Sequence, residues 1–140
     1  MQQRGVGSDD QLRQILQQTR VIAVVGLSDN PARPSYGVTR YMQAQGYTIV
    51  PINPELTELF GERAYPDLLS VPFEIDLVDV FRRSELVGPH VDEAIQKGVK
   101  TIWMQLGVRN EQAAQRARAA GIDVVMDRCI LVEHRRLMDG

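Results

Sequence analysis

The chain has 140 residues, 44% of them hydrophobic and 24% charged, as expected of one globular domain with a full core. A formal net charge of −2 gives no reason to expect a nucleic acid or a membrane surface as partner, so an anionic ligand would have to be met by local positive charge. One cysteine, Cys129, and two distant histidines, His90 and His134, exclude an internal disulfide and a thiolate metal cluster.

Residues 1–7 read as a flexible start to a single domain spanning 1–140, with no apolar signal core and, further on, no apolar run approaching the ~20 residues that span a bilayer. A cytoplasmic location is therefore expected. Ser8 has the position of a helix N-cap with Gln11 as its capping-box partner, and Leu12, Ile15, Leu16 and Thr19 share one helical face. From there strands and helices alternate. Residues 21–25 form an apolar, β-branched run ending at Gly26, 36–45 carry a helical pattern stopped by Gly46, and 47–52 form a second strand closed by Asn53-Pro54. A short helical turn is expected around 56–60, then an irregular stretch through Pro66 and Pro72. A third strand over 76–81, a helix over 89–97, a fourth strand over 99–104, a helix capped by Asn110 and ended by Gly121, a fifth strand over 122–126 and a closing helix over 130–137 complete the chain.

Five such runs separated by amphipathic helices predict an α/β fold: a single Rossmann-like domain with a five-stranded parallel sheet, strand order 3-2-1-4-5, and helices on both faces. The apolar faces of the two terminal helices leave open a homodimer or another protein partner.

In open sheets of this kind ligands bind beyond the carboxyl ends of the strands. That edge receives Arg33, Arg82, Arg83, Arg109 and Arg128, a concentration of positive charge that suits a phosphate-rich ligand. Gly26 permits a tight turn and Ser28 adds a hydroxyl, while Ser35 stands where a helix N-terminus could hold a pyrophosphate. Neither G-x-G-x-x-G nor G-x-x-x-x-G-K-[ST] occurs. The second strand ends Val50-Pro51-Ile52-Asn53-Pro54, without the acid that a ribose 2′-hydroxyl usually requires. This disfavours NAD and leaves NADP open.

The segments VIAVVGLSDNPARPSYGV (21–38), GYTIVPINPE (46–55), LVDVFRRSE (77–85), IWMQLGVRNE (102–111) and VVMDRCILVEHRRL (124–137) together resemble the stand-alone CoA-binding protein family, related to the CoA-binding N-terminal domain of the succinyl-CoA synthetase alpha subunit. The resemblance implies coenzyme A as ligand, or a short acyl-CoA. It puts Gly26, Ser28 and Arg33 at the phosphates, Val50, Pro51, Asn53 and Pro54 at the adenosine end, and Phe81, Arg82, Gln105 and Gly107 along the pantetheine and pyrophosphate. Phe81 and Leu106 offer apolar surface to such a ligand, whereas Trp103 reads as core. His90 and His134 read as surface or capping residues, and Cys129 as a small buried side chain, with a reactive thiol beside Arg128 as the alternative. No nucleophile, base and orienting group assemble in these loops. The expectation is thus a CoA-binding module, carrier or sensor without catalysis of its own. The alternative is an NADP-dependent reductase, or the CoA-binding component of an acyl-CoA ligase completed by another chain.

Overall fold

The computed structural model describes residues 7–138, so most of the expected flexible start, residues 1–6, lies outside it. The capping box forms as expected: Ser8 Oγ accepts from the Gln11 N–H, and the Gln11 side chain accepts from the Ser8 N–H, opening α1 (Asp9–Gln18). The chain continues through β1 (Val21–Val25), α2 (Pro34–Ala44), β2 (Thr48–Ile52), the short strands β3 (Glu58–Leu59) and β4 (Glu62–Arg63), and β5 (Leu77–Val80). It ends with α3 (Val87–Lys97), β6 (Thr101–Met104), α4 (Glu111–Ala119), β7 (Asp123–Val125) and α5 (Ile130–Met138).

The main sheet is five-stranded and wholly parallel, in the order β2-β1-β5-β6-β7. Counting its strands along the chain, the order is 2-1-3-4-5 rather than the expected 3-2-1-4-5. The outer edge of β2, where a third strand was expected, is occupied by the backbone of Tyr65: its N–H donates to the Pro51 carbonyl and its carbonyl accepts from the Asn53 N–H, both at 2.9 Å. With that edge closed, β5 joins the free side of β1. The helical turn expected around 56–60 is instead the antiparallel β3–β4 ribbon, turned at Phe60 (φ 58°) and Gly61 (φ 79°). Two successive positive φ values match the tight hairpin turns whose twist suits β-strands.

Strand alternation divides the core in two. Ala23, Val25, Val78, Val80, Ile102 and Met104 face α3, α4 and the 64–75 segment, with Val91, Ala94, Ala114 and Leu68 packed on them. Ile22, Val24, Leu77, Trp103 and Val125 face α1, α2 and α5 through Leu12, Leu16, Met42 and Ile130. The apolar faces of the terminal helices are thus covered within the chain. Arg136 joins them, forking onto Asp9 of α1 at 2.8 and 2.9 Å while also bonding Glu133 at 2.7 Å.

A carboxyl group interrupts the sheet side of this second core. Asp79, between Val24 and Trp103 in the sheet register, is 2% exposed, and its Oδ1 has no hydrogen-bond partner. Burial holds its carboxyl well above the ordinary value of 3.8, so the folded protein keeps a proton that the unfolded chain releases. The contribution of this group to stability is therefore full at acid pH and is lost as pH rises above the unfolded value, because the folded state binds the extra proton. Asp79→Asn should flatten this slope. Thermal melts at pH 5 and pH 8 should differ less for the variant, by a few degrees if the unpartnered carboxyl costs about 1–3 kcal/mol.

Candidate functional site

In a 2-1-3-4-5 sheet the strand order reverses at the first and third strands, and the crevice opens between their carboxyl ends. Here those ends are Gly26 and Phe81, and they touch. Gly26 has φ +81°, and a Cβ placed on it would lie 2.4 Å from the Phe81 carbonyl oxygen and 3.0 Å from Arg82 Cδ. Only glycine permits this approach, which sets the two loops side by side.

Above this junction lies a cavity of about 990 Å3. Nine of the twelve expected residues line it: Gly26, Ser28, Arg33, Ser35, Asn53, Pro54, Phe81, Arg82 and Gln105. The other three lie elsewhere. Val50 is 2% exposed within the sheet core, Pro51 is buried on the outer edge of β2, and Gly107 is exposed, its N–H donating to Asp127 Oδ1 at 2.7 Å. Trp103, expected in the core, is fully buried, and its Nε1–H donates to the Arg128 carbonyl at 2.9 Å.

The first loop is stiffened by its own side chains. Ser28 N–H donates to Ser35 Oγ, Asn30 N–H to Ser28 Oγ, and Ala32 N–H to Asn30 Oδ1, at 2.9–3.0 Å. Both serine oxygens act as acceptors here, which leaves each hydroxyl hydrogen able to donate to a ligand. Asn53 works between loops instead. Its Nδ2 donates to the Leu27 carbonyl and its Oδ1 accepts from the Glu55 N–H, so it ties the β1 loop to the β2 loop. Gln105 Oε1 accepts from the Ile130 N–H and holds the start of α5 against the end of β6.

The walls differ in character. Pro34 is the first helical residue of α2 and no side chain caps that helix, so its N-terminus forms one wall with the polarity that favours anions. Arg33, Arg82 and Arg83 line the cavity too, and among the described residues none of them enters an ion pair. Glu55 stands at the β2 end. At the β6–β7 end the lining turns apolar, with Leu106, Val108 and Cys129. A smaller hollow of about 430 Å3 adjoins this end, sharing Leu106 and Cys129 and flanked by Arg109 and Arg128. Arg128 pairs with the buried Glu133 at 3.1 Å.

The histidines depart from expectation. His134 is 5% exposed and its Nδ1 bonds the Tyr41 hydroxyl at 2.9 Å. His90 lines the cavity, because α3 begins at Val87 and carries it one turn inside the helix. Its pKa lies below the ordinary 6.5, first through burial and second through repulsion from the Arg82 guanidinium, partly countered by Glu93. The spacing of Val87, His90, Val91 and Ala94 is the inward pattern of a helix and was the available signal for it. Among the described residues no cluster of His, Cys, Asp and Glu could hold a metal ion, and no helix is long and apolar enough to cross a membrane.

Residues 20–135 match the family model described as a CoA binding domain. The uncharacterized protein YneT of Bacillus subtilis is 42% identical over 127 residues, which are 91% of this chain and 94% of that one. An ADP-forming acetate–CoA ligase of Methanocaldococcus jannaschii is 30% identical over 94 residues. These are 67% of this chain but only 13% of the ligase, so the chain corresponds to a small part of that enzyme. Among solved structures, a hypothetical protein from Pyrococcus horikoshii superposes with a TM-score of 0.92 at 37% identity, covering 94% of this chain and 93% of that one. With the family model matching from β1 into α5, the chain belongs to the CoA-binding domain family.

Proposed function

We propose that the cavity binds coenzyme A or a short acyl-CoA, and that the protein works as a CoA-binding module, carrier or sensor. One observation carries this reading: three arginines without ion pairs among the described residues, and an uncapped helix N-terminus, converge on a cavity whose other end is apolar. A ligand with phosphates at one end and an uncharged thiol-bearing arm at the other matches both walls. The volume is of the size that such ligands fill.

Calorimetric titration with CoA, acetyl-CoA, 3′-dephospho-CoA and NADPH tests the assignment. CoA is expected to bind well above NADPH. Arg82→Ala should weaken CoA about 10–100-fold, the loss of one charge-assisted contact, while the melting temperature changes little. Silence with both CoA forms, or a preference for NADPH, would overturn the reading. The likeness to a segment of an ADP-forming ligase favours a second role, as the CoA-binding component of a ligase completed by another chain. Acyl-CoA formation that requires both this protein and a nucleotide-binding partner would establish it.

A further inference from the structure

His90 lines the cavity beside Arg82, whose charge acts on it, and Arg83 lines the same cavity. We propose that His90 is a third member of this anion-binding corner, gaining a proton when a phosphate of the ligand settles against Arg82. The inference rests on the reading of the cavity as a CoA site, and it adds a residue and a pH response to that reading.

In the free protein two effects favour the neutral imidazole: partial burial, and the positive Arg82 guanidinium, which no carboxylate among the described residues pairs. The other charged groups around it are few. Glu93 lies on its own helix and is already committed, its Oε1 accepting the Leu68 N–H at 3.2 Å. Arg33 and Arg83 share the cavity from the start of α2 and from the loop after β5, and Glu55 from the end of β2. A phosphate placed in this corner reverses the field, since its negative charge cancels the repulsion from Arg82 and favours the imidazolium. The protonated ring then donates a charge-assisted hydrogen bond that the neutral ring makes less strongly. Proton uptake and ligand binding become linked, so affinity rises as pH falls.

The sequence makes the test clean, because His90 and His134 are the only histidines. Their imidazole proton resonances can be assigned by comparison with His90→Gln and followed against pH in the free and ligand-saturated protein. The midpoint of His90 should move to higher pH on binding, and that of His134 should not follow it. Calorimetry in two buffers of different ionisation enthalpy should show less proton uptake by His90→Gln than by the wild type. With 3′-dephospho-CoA, whose pyrophosphate does not titrate near neutrality, affinity should be about threefold or more tighter at pH 6 than at pH 8 if the pyrophosphate occupies the corner. If only CoA moves the His90 midpoint, the 3′-phosphate is the group bound there.

Arg82→Gln provides a second arm that leaves the histidine in place. Its free-state His90 midpoint should already be raised, and less proton should be taken up on binding. CoA binding that leaves the His90 midpoint unmoved, or proton uptake that is unchanged in His90→Gln, would overturn the proposal while leaving the CoA site intact. Absence of CoA binding at every pH would overturn both.

Discussion

Gly26→Ala is expected to lower stability by about 3 kcal/mol or more and, under the proposed function, to abolish CoA binding in whatever fraction still folds. Two costs combine. The left-handed φ of +81° strains any residue with a side chain, and the new methyl would meet the Phe81 carbonyl at 2.4 Å. Because that oxygen belongs to the backbone at the end of β5, relief requires β1 and β5 to separate at the floor of the cavity. The thermal midpoint should fall by roughly 6–12 °C for a domain of this size. Gly37→Ala is the control. Gly37 lies inside α2, where an added Cβ meets nothing within 4 Å, so the same chemical change should stabilise by about 0.5–1 kcal/mol. Paired melts and titrations of the two variants separate a generic glycine effect from the close approach. Equal behaviour would refute the role given to Gly26.

Trp103→Ala should cost about 3–5 kcal/mol, since the largest fully buried side chain leaves a void between the sheet and the α1, α2 and α5 layer. Trp103→Phe is more informative about the site. It keeps most of the packing but removes the Nε1–H bond to the Arg128 carbonyl, at about 1 kcal/mol. That bond steadies the turn between β7 and α5, in which Asp127 holds φ 61° and Cys129 lines both hollows. Local opening of the turn should therefore become easier. With Cys129 the only cysteine in the chain, labelling by an aromatic disulfide reagent reads this directly and should be faster in Trp103→Phe than in the wild type. An unchanged labelling rate would mean that the turn is held by other contacts, such as the Asp127 bond to Gly107.

Most of the framework is legible in the sequence because it rests on local rules. The Ser8–Gln11 box, the Asn110 cap and the glycines after helices punctuate the chain where the structure does. Strand order is harder to read because it depends on the 53–76 segment, which has no periodicity to follow. A signal is nevertheless present in Pro51. A residue without an N–H sits comfortably only on a sheet edge, so β2 could not be flanked on both sides by full strands. The Phe60–Gly61 turn escapes notice because a phenylalanine at positive φ is rare, and nothing in its neighbours announces one. At the site, residues at loop positions follow directly from strand ends. Val50 and Pro51 do not, since the resemblance gives their place along the strand and not the direction in which they point. His90 is missed because its helix pattern reads as starting at Pro89, two residues after α3 begins, which moves the histidine from the inner face to the cap.

The closed outer edge of β2 has a consequence for how this unit meets other polypeptides. Pro51 offers no donor there, Tyr65 already occupies the neighbouring groups, and at the other margin β7 is only three residues long. Such margins give an incoming strand little to pair with, which protects against cross-linking of sheets between copies. A unit guarded in this way tolerates being joined to unrelated sequence, because its neighbours in a fused polypeptide cannot easily invade it. The occurrence of related sequence both in a protein of nearly this length and within a ligase many times longer is what such self-sufficiency permits.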